Sequence, residues 1–248
     1  MTGISKAEID LTFQHTIIEM GGELVSTLLP TKSPEHDNAD FAFREWNIIC
    51  ELKVLENDPN QRGALDRKAQ ALFDKWMGQG RILFYGTRRI DSSTLDRDMQ
   101  WELAKLHSES VKRALKKANR QIRETKTALG MAGAKGHVVI VNDAVPTLDP
   151  YTFAFAVHQS LGQHYSSING VSLVTVNYVT SLKGLPTKIK FWGNYTREDY
   201  CPSLDASYLN QFAETWSKYI SDIEGQRVPY LKLPENFDLK QFGPITKP

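Results

Sequence analysis

The sequence is expected to fold as an α/β protein with a mixed central sheet flanked by helices. Three observations lead there. Residues 40–56 carry two short alternating runs, Asp40 to Trp46 and Ile48 to Glu56, that meet at a tight turn near Trp46-Asn47, as a β-hairpin does. His137 to Asp143 is a compact apolar run that ends in polar turn residues, the pattern of a buried strand. Between them, from Thr94 or Asp96 to Leu129, the residues Val111, Leu115, Ala118, Ile122, Thr125 and Leu129 recur every three to four positions, the seam of a long amphipathic helix.

The remaining elements follow in order. Ser5 and Glu8 form a capping box ahead of a helix from Lys6 to Met20, closed by Gly21-Gly22, with Ile9, Phe13, Ile17 and Met20 on its core side. Glu23 to Leu29 reads as a short strand ending at Pro30. Residues 57–63 are rich in turn formers. A helix from Leu65 to Met77 and a strand from Arg81 to Gly86 come next. The segment 57–96 reads either as an insertion or as the second core helix with its following strand. Later come a helix over Thr152 to Leu161, strands over Val171 to Thr180 and Lys188 to Trp192, and a helix over Leu204 to Ile223. Tyr208, Phe212, Trp216 and Tyr219 make an aromatic stripe on that last helix, a pattern that usually belongs to the core or to a subunit contact. A single domain over 1–248 is expected, with 225–248 as an extended tail over the surface.

Composition narrows the function classes. A formal net charge of +1 gives no global pull towards nucleic acid, so any such binding must come from a local patch. Two distant cysteines, Cys50 and Cys201, argue against a disulfide framework and a cysteine-rich zinc site. His158 and His164 have the wrong spacing for two ligands on one helical face. With no signal-peptide pattern and no apolar run of membrane-spanning length, a cytoplasmic location is expected.

The hairpin holds the chemistry. Strand alternation puts Ile49, Glu51 and Lys53 on one face and Cys50, Leu52 and Val54 on the other, and the hairpin carries Asp40 into the neighbourhood of Glu51 and Lys53. Paired carboxylates are oxygen ligands suited to Mg²⁺, which takes only one or two of them and completes its shell with water and phosphate. A lysine beside such a cation can position or activate water, or stabilise charge on phosphorus. The bland reading of the same residues is the solvated face of a hairpin with weak charge pairing.

Asp40, then ten intervening residues, then Glu51-Leu52-Lys53 resembles the active-site signature of the PD-(D/E)xK phosphodiesterase superfamily, with Ala39 where that family has proline. The resemblance implies a restriction-endonuclease-like core with insertions and a C-terminal helix. It also implies a Mg²⁺-dependent endonuclease acting on DNA, in which Mn²⁺ can substitute. Asp40, Glu51 and the Leu52 carbonyl would hold the metal, and Lys53 would orient or activate the water. Many members add an acid from the first helix, for which Glu8, Asp10 and Glu19 are the candidates. The run Ala118 to Lys126 resembles the family's second core helix, where a Gln or basic residue faces the scissile phosphate. On that likeness Lys117 and Gln121, one helical turn apart, are candidates for substrate contact.

Charge patterning adds one feature. Lys105, Lys112, Arg113, Lys116, Lys117, Arg120, Arg123 and Lys126 face only Glu109 and Glu124 in the same span, a local footprint suited to phosphate backbones. A solvated helix face gives the same pattern. Two rival readings therefore stand beside the nuclease: a catalytically inactive nucleic-acid-binding or assembly subunit of the same fold, and a scaffold that forms homodimers through its aromatic C-terminal helix.

Overall fold

The computed structural model describes residues 3–29, 38–56, 63–82, 95–143, 145, 148–161, 165–196, 203–225, 238–243, 245 and 246. Its strands are β1 (Glu23–Leu24), β2 (Phe41–Phe43), β3 (Ile48–Leu55), β4 (Lys135–Asn142), β5 (Gly170–Thr175) and β6 (Trp192–Thr196). They form one sheet whose spatial order repeats their order in the chain. β3, β4 and β5 run parallel, while β1, β2 and β6 pair antiparallel with their neighbours. This is the expected mixed sheet flanked by helices. The helices are α1 (Lys6–Glu19), α2 (Val25–Leu28), α3 (Ala64–Gly78), α4 (Arg97–His107), α5 (Glu109–Ala128), α6 (Pro150–Leu161) and α7 (Ala206–Glu224). Among the described residues no helix is long and apolar enough to cross a membrane.

Parallel strands need helical crossovers, and those helices cover the sheet. α5 and α6 bury one face together with Ile49, Val138, Ile140, Val171 and Leu173. α1 and α7 bury the other with Cys50, Val139, Val141 and Val174. The capping box of α1 is present, with the Ser5 N–H donating to the Glu8 carboxylate at 2.7 Å and the Glu8 N–H to Ser5 Oγ at 3.3 Å. On α7, Tyr208, Phe212 and Trp216 are core, with Trp216 stacked on Phe13 at 5.7 Å. His137 is also fully buried, between Tyr208 Oη at 3.0 Å and Ser172 Oγ at 2.8 Å. Desolvation pulls its pKa down to about 3, so it stays a neutral imidazole.

Several boundaries differ from the sequence reading, each for a local reason. The strand expected over Glu23 to Leu29 ends at Leu24, because its partner β2 is only three residues long. The chain then coils into α2, with the Leu29 N–H donating to the Val25 carbonyl. The long helix is two helices broken at Ser108, whose buried hydroxyl donates back to the Lys105 carbonyl at 2.8 Å and competes with the helical ladder. The strand expected over Val171 to Thr180 stops at Thr175, and the one expected over Lys188 to Trp192 lies at Trp192–Thr196. Thr180 pairs instead with Ile189 in an isolated bridge. The strand proposed for Arg81 to Gly86, the loop 57–62, His164 and Cys201 lie largely or wholly outside the described residues. Parts of the tail bridge back to the body, Phe242 to Leu182 and Thr246 to Val179, and Ile245 is buried, so those parts are packed rather than draped.

The contact between β4 and the loop before β5 is close enough to make a test. A Cβ added at Gly136 would stand 1.9 Å from the Ser167 carbonyl oxygen and 3.0 Å from Ile122 Cγ2. Gly136→Ala is therefore expected to cost about 1–3 kcal/mol, read as a lower urea midpoint with an unchanged slope.

Candidate active site

The site grows out of the way the β2–β3 hairpin ends. Phe41 pairs with Cys50, so one more step of that register sets Asp40 opposite Glu51. There the backbone ladder stops and two side chains take over its bonds. The Asp40 N–H donates to Glu51 Oε2 at 3.1 Å, and the Leu52 N–H donates to Asp40 Oδ2 at 2.9 Å. The Asp40 carbonyl accepts from the Val25 N–H at 3.0 Å, which ties the same residue to the start of α2. The Lys53 ammonium pairs with Glu51 Oε1. The structure thus brings Asp40, Glu51 and Lys53 together at the open end of the hairpin.

Their environments differ. Glu51 is fully buried, whereas the side chain of Lys53 keeps 18% of its surface and Asp40 is exposed. Burial, with the Asp40 charge adding to it, pushes the Glu51 carboxyl up to about 8, against the opposing pull of Lys53. The Asp40 carboxyl is also raised, chiefly by loss of water around it, while the Leu52 N–H, Lys53 and Lys117 hold it down. The cluster therefore has a desolvated floor at Glu51 and an approachable mouth at Asp40.

α5 supplies the wall. Lys117 is exposed, and its charge reaches the Asp40 carboxylate. Gln121, one turn on, is 6% exposed and points into the protein: its Nε2 donates to the Asn38 carbonyl at 3.0 Å. Its Oε1 is buried and has no hydrogen-bond partner among the described residues. The two candidates thus differ in setting, with Lys117 exposed and the Gln121 donor committed to the main chain. The side chain of Leu52 packs on the opposite face with the α1–α7 core.

The three first-helix acids separate cleanly. Glu8 is committed to the capping box. Glu19 accepts from Lys218 and from the Tyr219 hydroxyl. Asp10 is the one whose carboxyl is raised by burial and then by the charges of Asp40 and Glu56, with Lys6 opposing. Among the described residues, however, no group of three or more His, Cys, Asp or Glu side chains is placed to hold a metal ion. Asp40 and Glu51 form a pair, and Asp10 stands as a more distant neighbour.

One residue that sequence reasoning assigned only to the apolar seam belongs here. Thr125 is fully buried, and its Oγ1 accepts from the Ala39 N–H at 2.7 Å. The signal was a hydroxyl at a core position of an amphipathic helix, since a buried polar atom needs a partner.

The basic residues of α5 divide as well. Arg113, Lys116, Lys117, Arg120 and Arg123 are exposed, on the side of α5 away from its buried seam, with Arg113 Nε donating to the Glu109 carbonyl at 3.4 Å and Arg120 paired with Glu124 at 4.0 Å. Lys112 pairs with Glu109 at 3.5 Å, and Lys126 donates to the Ser167 carbonyl at 3.1 Å. Lys105 is exposed on α4.

Compared with known proteins, the chain matches no family model, no curated protein and no solved structure.

Proposed function

We propose that this chain is a Mg²⁺-dependent phosphodiesterase that cleaves nucleic acid, and that its substrate is DNA cut internally. The observation that carries the reading is the Asp40–Glu51 pair: two carboxyls set against each other where burial raises both and the Asp40 charge raises Glu51 further, with Lys53 in contact. A structural ion pair needs one acid; the second acid adds repulsion that a divalent cation relieves. Mg²⁺ asks for no more than one or two protein carboxylates, so Asp40, Glu51 and the Leu52 carbonyl fit it without a third acid. When bound, the metal polarises a phosphoryl oxygen and offsets charge developing on phosphorus.

The chain's own groups supply the rest. Glu51 gives a fixed, desolvated carboxylate, and the exposed Asp40 faces the approaching phosphate. Lys53 keeps a proton at Nζ beside Glu51 and positions water for attack. Lys117 neutralises a phosphate oxygen near Asp40. From Arg113 to Arg123 the exposed basic row runs about 15 Å at helical rise. That length matches about four phosphates of one duplex strand.

Two measurements test this reading. Supercoiled plasmid, linear duplex, single strands and RNA are incubated with Mg²⁺, Mn²⁺ or EDTA, with wild type beside Glu51→Ala. Metal-dependent cutting that disappears in the variant is expected; intact binding with no cutting of any substrate would leave a non-catalytic binding subunit. Separately, Arg113→Gln, Arg120→Gln and Arg123→Gln together are expected to flatten the salt dependence of binding. Each phosphate that is no longer neutralised takes about 0.9 from the log–log slope, read by fluorescence anisotropy in EDTA.

A further inference from the structure

We infer that Thr125, with Gln121 one turn before it on α5, is a positioning residue that fixes where Asp40 stands relative to Glu51, an inference that rests on the proposed metal-dependent reaction. Successive peptide units hold the approach to Asp40. The Asn38 carbonyl accepts from Gln121 Nε2 at 3.0 Å, the Ala39 N–H donates to Thr125 Oγ1 at 2.7 Å, and the Asp40 N–H donates to Glu51 Oε2 at 3.1 Å. The first two ties come from the same face of one helix, the third from the strand beneath it.

The hold is needed because Asp40 lies just outside β2, where its carbonyl still meets the Val25 N–H but its own N–H has only the Glu51 side chain as partner. It is also a stiff hold. Thr125 is 0% and Ala39 3% exposed, so the bond lies in a low-dielectric interior where breaking it leaves a buried N–H unmet. A β-branched side chain in a helix has few χ1 choices, which presets Oγ1. α5 is itself anchored through Val111, Leu115, Ala118 and Ile122, all fully buried. Residue 39 also matters: a proline there would fix φ through its ring but has no N–H to give. Ala39 has the N–H, and Thr125 Oγ1 accepts from it.

The test compares Thr125→Val, which keeps shape but removes the acceptor, with Thr125→Ser, which keeps the acceptor. Mn²⁺ affinity is read by electron paramagnetic resonance, DNA binding by anisotropy in EDTA, and cleavage as kcat and KM. A folded Thr125→Val is expected to bind DNA within about twofold of wild type and to lose about tenfold or more in Mn²⁺ affinity. Its kcat is expected to fall roughly a hundredfold at unchanged KM. Thr125→Ser should retain wild-type values. Wild-type Mn²⁺ affinity and kcat in a folded Thr125→Val would overturn the assignment, as would equal losses in the serine variant. If Thr125→Val does not fold, Gln121→Leu carries the test, because it cuts the tie to Asn38 and leaves Thr125 intact. Weakened Mn²⁺ binding at constant KM supports positioning; a raised KM with intact Mn²⁺ affinity would make Gln121 a substrate contact and overturn its role here. A wild type that binds no Mn²⁺ and cuts nothing would instead remove the nuclease reading itself, whatever the variants do.

Discussion

Lys53→Met is expected to leave DNA binding in EDTA unchanged and to lower the cleavage rate by about two to four orders of magnitude, the range in which a positioned proton-bearing group contributes. The reason lies in what Lys53 touches. It contacts Glu51 rather than the exposed basic row of α5, so its loss leaves that row's charges as they are. The fold should survive the change. Glu51 already has its carboxyl pushed up to about 8 by burial and by Asp40. With the ammonium gone its proton is held more tightly still, so no unpaired buried charge is left. A plasmid-nicking time course beside equilibrium anisotropy separates the two effects, and binding that disappears together with cleavage would make Lys53 a structural residue.

The second large effect is on stability against pH in metal-free protein. A carboxyl whose folded pKa is raised binds its proton more tightly in the native state. Stability is therefore greatest below the unfolded value and is lost as pH rises towards the folded one. For Glu51 that window runs from the ordinary value of 4.5 to about 8. Across it the protein should lose up to about 5 kcal/mol, at 1.36 kcal/mol per pKa unit. Asp40, raised in the same direction but open to water, adds to the slope without setting its size. Glu51→Gln should flatten the curve and be more stable than wild type near pH 8, measured as urea midpoints in EDTA from pH 5 to 9. A wild-type curve as flat as that of the variant would show that Glu51 titrates normally.

How much of this was legible in the sequence differs between the frame and the fine geometry. The α/β class, the hairpin, the apolar seam of α5 and the capping box of α1 were readable because periodicity and local side-chain chemistry dictate them. The nearness of Asp40, Glu51 and Lys53 was readable because a hairpin register is local. The break at Ser108 was not, since it depends on one serine choosing the Lys105 carbonyl over water. β6 was misplaced because an antiparallel edge is set by its partner: β5 pairs with Trp192–Thr196, while Ile189 before it bridges to Thr180. Gln121 lay on the expected helix and near the expected strand. Its inward turn towards Asn38 depends on a contact between residues 83 apart, which no local pattern encodes. The role of Thr125 was hidden for the same reason.

That long reach shapes how the protein comes into being on the ribosome. Ala39 and Thr125 are 86 residues apart in the chain. At synthesis rates of about 5–20 residues per second, roughly 4 to 17 s separate the appearance of the acids from that of the helix that fixes them. During that interval a nascent chain can close the hairpin and tie Asp40 to Val25, Glu51 and Leu52, but the Asn38 and Ala39 peptide units before it lack their partners on α5. The restraint from α5 is thus completed in one late event, when α5 docks against β3 and β4 adds alongside.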